Sequence, residues 1–302
     1  MDVYKLRIEH TGSSKIDRDT FEEETRCREP WYQDGSGDKR SQFAVCPACD
    51  NPIQLVGLYE LPKNLNKPYG KHTTTGIRGI GPSDREAREC CPYFQPRQHQ
   101  KTDRKVGFEG TPRKILMLLI EQFDRVAYVI EKQTNLALSA ATLRGMLERY
   151  KGERGYMYTG ATLRNVPWIF AYMSDATDLF GQRIAPNAAL AKAISDRVSG
   201  ARIDENGRLG AEVLPSGKRS FVDIKMSFIR HRFSRDNEAG ALRESMELVV
   251  SRSVKRELED IHKELIEVDH NWFERLIRLP ADHQNRRMDR VALAREVLGS
   301  LL

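Results

Sequence analysis

No stretch of this 302-residue chain approaches the ~18 to 20 consecutive apolar residues that a membrane-spanning helix needs. The run from Ile115 to Ile120 is far too short. The opening Met1-Asp-Val-Tyr-Lys lacks the basic and apolar regions of a secretory signal, so the expected address is the cytoplasm. No glycine-rich phosphate loop precedes a helical pattern and no nucleophile elbow occurs, which leaves nucleotide-fold and serine-hydrolase chemistry without a sequence signature. Cysteine is scarce, with five in the chain, but Cys46, Cys49, Cys90 and Cys91 stand close together while Cys27 reads as a bystander.

What is abundant is charge. Lys and Arg total 49 against 43 Asp and Glu, a net +6. A surplus of this kind suits a nucleic-acid partner when it clusters. It clusters twice. Residues 97 to 114 hold Arg97, Lys101, Arg104, Lys105, Arg113 and Lys114 against Asp103 and Glu109. Residues 218 to 235 hold Lys218, Arg219, Lys225, Arg230, Arg232 and Arg235 against Asp223, with His231 read as part of the patch. Solvated loops and an exposed strand face are the plain alternative for either cluster.

In a reducing compartment, clustered cysteines bind metal more often than they form disulfides. Cys46-Pro-Ala-Cys49 has the spacing with which two thiolates grip one ion from a tight turn, and a strand-like run, Ile53 to Tyr59, follows it rather than the helix of a redox site. His72 and Cys91 would complete the set. Cys91 is preferred to Cys90 because proline follows it, as proline follows Cys46; His99 is a substitute ligand. Thiolate and imidazole ligands suit zinc, and a closed four-ligand site is structural. The ion would order the Gly- and Pro-rich interval from Pro62 to Pro82, which has little apolar content of its own. The knuckle, Lys67-Pro-Tyr-Gly-Lys-His72 and the later Cys-Pro together resemble the zinc-ribbon modules of many bacterial proteins. The likeness covers residues 40 to 95 and implies a module type, not a function.

The length suggests about two domains, and the pattern divides at a polar linker: a zinc-stabilised module over 1–105 and a mainly helical domain over 106–302. Residues 34 to 40 read as a loop. Thr111-Pro112 opens a helical face that runs to about Lys132, as one helix or two, and Ser139 caps the next helix, which ends near Gly152. Helices are expected at about 165–180 and 186–198. Residues 208–214 and 219–233 read as strands joined by Pro215-Ser-Gly-Lys218, a β-hairpin. From Asp236 to Leu279, apolar residues at 242, 246, 249, 254, 258, 261, 265, 268, 272 and 276 follow heptad-like steps, predicting a long helix. Its stripe, over 242–276, offers a homodimer or partner protein a docking face. A short amphipathic helix ends the chain. The expected class is α+β.

Two constellations carry functional expectations. In the first, a helix-turn-helix, Ser139 to Tyr150 serves as recognition helix with Thr142, Arg144, Glu148 and Arg149 on its polar face and Gly152 to Gly160 as a small wing. In the second, Asp204, Glu212, Asp223 and Lys225 resemble the acidic pair and lysine of metal-dependent nucleases. Strand alternation alone places 223 and 225 on one side. The leading reading is a zinc-containing nucleic-acid-binding protein using Arg104, Lys105, Arg144, Arg149, Lys218, Arg219, Arg230 and Arg232. The competing readings are a nuclease using Glu212, Asp223 and Lys225, and an adaptor subunit of a larger complex.

Overall fold

The computed structural model describes every residue except 35–39, 64, 187, 236–240 and 255–256. Among the described residues it is a mixed α/β structure with nine α-helices and several small antiparallel sheets. The predicted loop at 34–40 falls almost entirely outside the described residues.

The N-terminal region begins with a two-stranded ribbon, β1 (Val3–Tyr4) and β2 (Ser14–Lys15). The helix α1 (Arg18–Thr25) follows, started by the Asp17 side chain, which accepts from Thr20 N at 3.0 Å. Phe21 on this helix is fully buried between Tyr4 and Tyr32. A meander comes next: β3 (Tyr32–Asp34), β4 (Arg40–Val45), β5 (Pro52–Val56) and β6 (Tyr69–His72), hydrogen-bonded in that order. The short helix α2 (Arg85–Glu89) then delivers the Cys90-Cys91 pair.

The remainder of the chain forms a larger core. Helices α3 (Thr111–Glu121) and α4 (Phe123–Thr134) divide the expected helical face in two at Gln122. The short strand β7 (Leu136–Ala137) leads to α5 (Ala140–Gly152), whose N-cap is Ser139 as expected; its hydroxyl accepts from Thr142 N at 3.2 Å. α6 (Val166–Tyr172) is shorter than the expected 165–180 helix, because Thr177–Asp178 forms β8 instead. Then come β9 (Arg183–Ile184), α7 (Ala189–Arg197), β10 (Ala201–Ile203) and β11 (Leu209–Ala211). Three long strands follow, β12 (Ile224–Arg235), β13 (Leu242–Val254) and β14 (Glu257–Glu267), and the chain closes with α8 (His270–Arg278) and α9 (Met288–Leu298). The sheet order is β14-β13-β12-β8, and its buried face, with Met226, Phe228, Met246, Leu248 and Val250, packs into one apolar core with the helices.

The long helix expected over 236–279 is therefore corrected to two strands and a short helix. Burial along Met246, Leu248 and Val250 has a period of two, not three and a half, and β-branched Val249, Val250, Val254 and Ile261 favour a pleated surface. Opposite Val250 and Ser251, a bulge leaves Ile261 of β14 unpaired and shifts that strand's alternation by one residue, so the apolar positions happen to fit heptad steps. The dimerising helical stripe goes with it. The expected 208–233 hairpin is corrected in part. Its turn exists, with Leu214 N donating to Lys218 O at 2.8 Å and a bridge between Val213 and Arg219. Its two limbs belong to different sheets, however: β11 pairs with β10, and β12 with β13.

Candidate metal centre

The register of the meander makes the site. Val45 pairs with Pro52, so residues 46 to 51 form the turn between β4 and β5, closed by Cys46 N to Asn51 O at 2.8 Å and Asp50 N to Cys46 O at 3.0 Å. Asp50 takes a left-handed φ of 61° there, a conformation that Asp tolerates better than most residues. Ile53 pairs with His72, which carries the imidazole across to the knuckle. Cys91 arrives from the far side, behind α2. The ligand atoms of Cys46, Cys49, His72 and Cys91 all lie within 4.8 Å of one another. Cys46 Sγ and Cys91 Sγ are 3.7 Å apart, and Cys49 Sγ and His72 Nε2 are 3.4 Å apart. All four residues are buried. This cluster could hold a metal ion, and it takes Cys91 rather than Cys90.

The three thiols of the cluster differ in protonation. Burial pushes the Cys49 and Cys91 thiols well up. Burial also opposes ionisation of Cys46, yet hydrogen bonds from Cys49 and Cys91 and the neighbouring His72 ring bring it well below its ordinary value. Three thiols and one imidazole thus share a pocket in which only one thiolate is comfortable without a cation.

Residues that the sequence reading missed orient these ligands. Asn51, fully buried, reaches Cys49 Sγ (3.4 Å) with its amide nitrogen and accepts Asp84 N (2.8 Å) on its oxygen. Asp84 is the N-cap of α2, accepting from Ala87 N at 3.0 Å, so one side chain fixes both halves of the centre. Asp50 pairs with Lys5 at 2.6 Å and with Lys114 of α3. Ala48 O accepts from Leu163 N at 3.3 Å. The knuckle therefore touches both the N-terminal ribbon and the helical core.

The expected nucleic-acid contacts are dispersed. Lys105 is buried, its ammonium donating to Ala161 O at 2.6 Å, and burial lowers its pKa to about 8. Arg104 donates to Glu153 O (2.9 Å) and Lys101 O (2.6 Å). Arg144 forms a two-pronged pair with Glu296 of α9, at 2.8 and 2.7 Å. Arg149 is bonded to Ser174 O and Thr177 Oγ1. Arg230 is paired with Glu247 at 2.9 Å. Tyr156, Met157 and Tyr158 of the expected wing are buried. Lys218, Arg219 and Arg232 are exposed, and none of their side chains has a hydrogen-bond or ion-pair partner among the described residues.

His231 leaves the basic patch: a bulge between Ile229 and Arg232, with Arg230 at a left-handed φ of 55°, shifts the alternation of β12 by one residue, so that Arg230 and Arg232 turn outward and the imidazole inward. There its Nε2 lies 2.7 Å from Glu244 Oε1, while His270 Nε2 lies 2.7 Å from Glu244 Oε2 and Asn165 Nδ2 donates to Oε1 at 2.7 Å. Burial would raise the Glu244 carboxyl, but the two imidazoles override it and hold the group at about 2. The nuclease set is not gathered. Glu212 is paired with Arg202 at 2.5 Å, Lys225 is 3.7 Å from Asp223, and Asp204 accepts from the amides of Asn206 and Arg208 in a turn. Among the described residues, the Cys/His set is the group with metal-holding geometry.

Nothing matches this chain among protein-family models, curated proteins or solved structures. No helix among the described residues is long and apolar enough to cross a membrane.

Proposed function

We propose that the chain is a nucleic-acid-binding protein whose N-terminal region is held together by one structural zinc ion. The ligand distances support zinc. An ion about 2.3 Å from each sulfur at tetrahedral angles sets the sulfurs about 3.8 Å apart, against 3.7 Å between Cys46 and Cys91. Four protein ligands and full burial leave no open position for substrate, so the ion's role is structural. When bound, it would neutralise the thiolates and fix the knuckle against α2.

The nucleic-acid reading is carried by the 213–221 turn, where Lys218 and Arg219 stand in solvent without an acidic partner among the described residues. Elsewhere, the side chains of Arg104, Lys105, Arg144, Arg149 and Arg230 are already engaged. Binding through the turn falls with salt as phosphate counterions are released. The test is fluorescence anisotropy of labelled DNA and RNA across a salt series, with Lys218→Glu/Arg219→Glu as the variant. Loss of affinity in the variant supports the reading; no binding by the native chain at low salt removes it.

A second reading, the adaptor, keeps one observation. Leu258 and Leu265 are 72% and 62% exposed on β14, the edge strand of the long sheet. An exposed apolar edge accepts a partner's strand. Leu265→Lys should release such a partner in a pull-down and leave nucleic-acid affinity unchanged.

A further inference from the structure

Phe221 is 85% exposed, an unusual position for a phenylalanine in a chain that buries Phe21, Phe123, Phe170 and Phe273 completely. It stands two residues beyond Arg219 on the descending limb of the turn that carries Lys218. That limb is extended: Arg219 bridges Val213, and Ser220 N donates to Glu212 O at 2.8 Å. Alternation puts Arg219 and Phe221 on one side, about 6.6 Å apart along the strand. Val213, 61% exposed, shares that side across the bridge. A free guanidinium beside a free aromatic ring thus makes one small platform, and Glu212, the nearest acid across the ribbon, is occupied by Arg202.

We infer that this platform takes unpaired nucleotides, with Arg219 and Lys218 on phosphates and the Phe221 ring stacked on a base. The inference rests on the nucleic-acid reading above and narrows it to single strands. In duplex DNA or RNA the base faces are covered by their neighbours, so an exposed ring has nothing to stack on; single-stranded bases offer that face without regard to sequence. The arrangement of the turn argues against lipid. Its apex, Pro215 to Lys218, is polar and cationic, and the apolar side chains lie below it on the limbs. A membrane-inserting loop needs its apolar residues at the apex.

The full chain should be tested by anisotropy against a labelled oligothymidylate and a duplex of equal length, with circular dichroism to verify each variant's fold. Phe221→Ala should weaken oligothymidylate binding on the order of tenfold to a hundredfold, leave duplex binding and the salt slope unchanged, and be rescued by Phe221→Trp. Lys218→Ala/Arg219→Ala should weaken both ligands and flatten the single-strand salt slope by about 1.4, two phosphate contacts at about 0.7 each. Phe221→Ala without effect, while the cation variant weakens binding, would overturn stacking and leave the nucleic-acid reading standing. No binding of either ligand by the native chain would overturn both. Phe221-dependent binding to vesicles containing phosphatidylserine, or Phe221-dependent self-association in sedimentation, with oligothymidylate binding unaffected, would assign the ring to another partner and overturn the inference.

Discussion

The N-terminal region and the region after residue 106 hold themselves together by different physics. In the second, helices and one long sheet share a continuous apolar core from Ile115 to Leu298. In the first, a smaller core holds Tyr4, Phe21, Tyr32, Ile53 and Leu55 together with Cys46, Cys49 and Cys91, and the described residues between 57 and 84 form little regular structure beyond β6. A core of that size does little to order long polar loops. The contrast teaches that cohesion in the first region combines a small apolar core with a few buried polar groups, Cys46, Cys49, His72 and Cys91 among them. In the second it is spread over many weak contacts.

The largest expected effect separates the two regions. Removing the metal with a chelator, or by Cys49→Ser, takes away a binding free energy on the order of 10 kcal/mol. Proteolysis and hydrogen exchange should then show residues 1–105 opened, with the α3 to α9 core still protected. Uniform opening of the chain would erase the distinction.

Next in size is the joint between them. Asp50→Ala cuts Lys114 of α3 from the knuckle and leaves the ammonium of Lys5, whose side chain is 5% exposed, with the carbonyls of Ile8 and His10 but no carboxylate; it should cost about 3 to 5 kcal/mol in denaturant unfolding. Glu244→Ala should cost a similar amount in the second region, by leaving two imidazoles with no carboxylate. Glu244 also predicts the pH profile. Its carboxyl is held at about 2 in the fold against about 4.3 in an unfolded chain. Its stabilisation is complete above the unfolded value and is lost as pH falls from there through about 2. The Glu244→Ala variant should show a flatter acid limb in stability against pH, and an unchanged limb would contradict the assignment. The smallest effect is Arg144→Ala, which breaks an exposed pair with Glu296 and should change stability by less than about 1 kcal/mol.

What could be read from the sequence follows from how local each signal is. The knuckle was legible because Cys46 and Cys49 make their geometry within four residues, and Pro47 and Pro92 distinguished the correct cysteine of the 90–91 pair. Ser139 was legible because a cap acts on the next turn of chain. Strands β13 and β14 were not, since a bulge at Ile261 moved the alternation of β14 out of phase and a heptad fitted the remainder. The basic linker shows a different limit. Lys105 and Arg104 spend their charge on carbonyls of Ala161 and Glu153, some fifty residues onward, and no composition count reveals a partner at that distance. Asn51 comes two residues after Cys49, at the end of the same turn, so its role was open to reading as a ligand-orienting amide.

The central claim is that three thiolates and one imidazole close around a single zinc ion. X-ray absorption at the zinc edge, on protein purified without added metal, tests it most directly. One zinc per chain is expected, with three sulfurs at about 2.3 Å and one nitrogen at about 2.0 to 2.1 Å; the signal should persist in Cys90→Ser and vanish in Cys91→Ser. Metal-free protein with an intact N-terminal fold, or a zinc shell unchanged by Cys91→Ser, would contradict it.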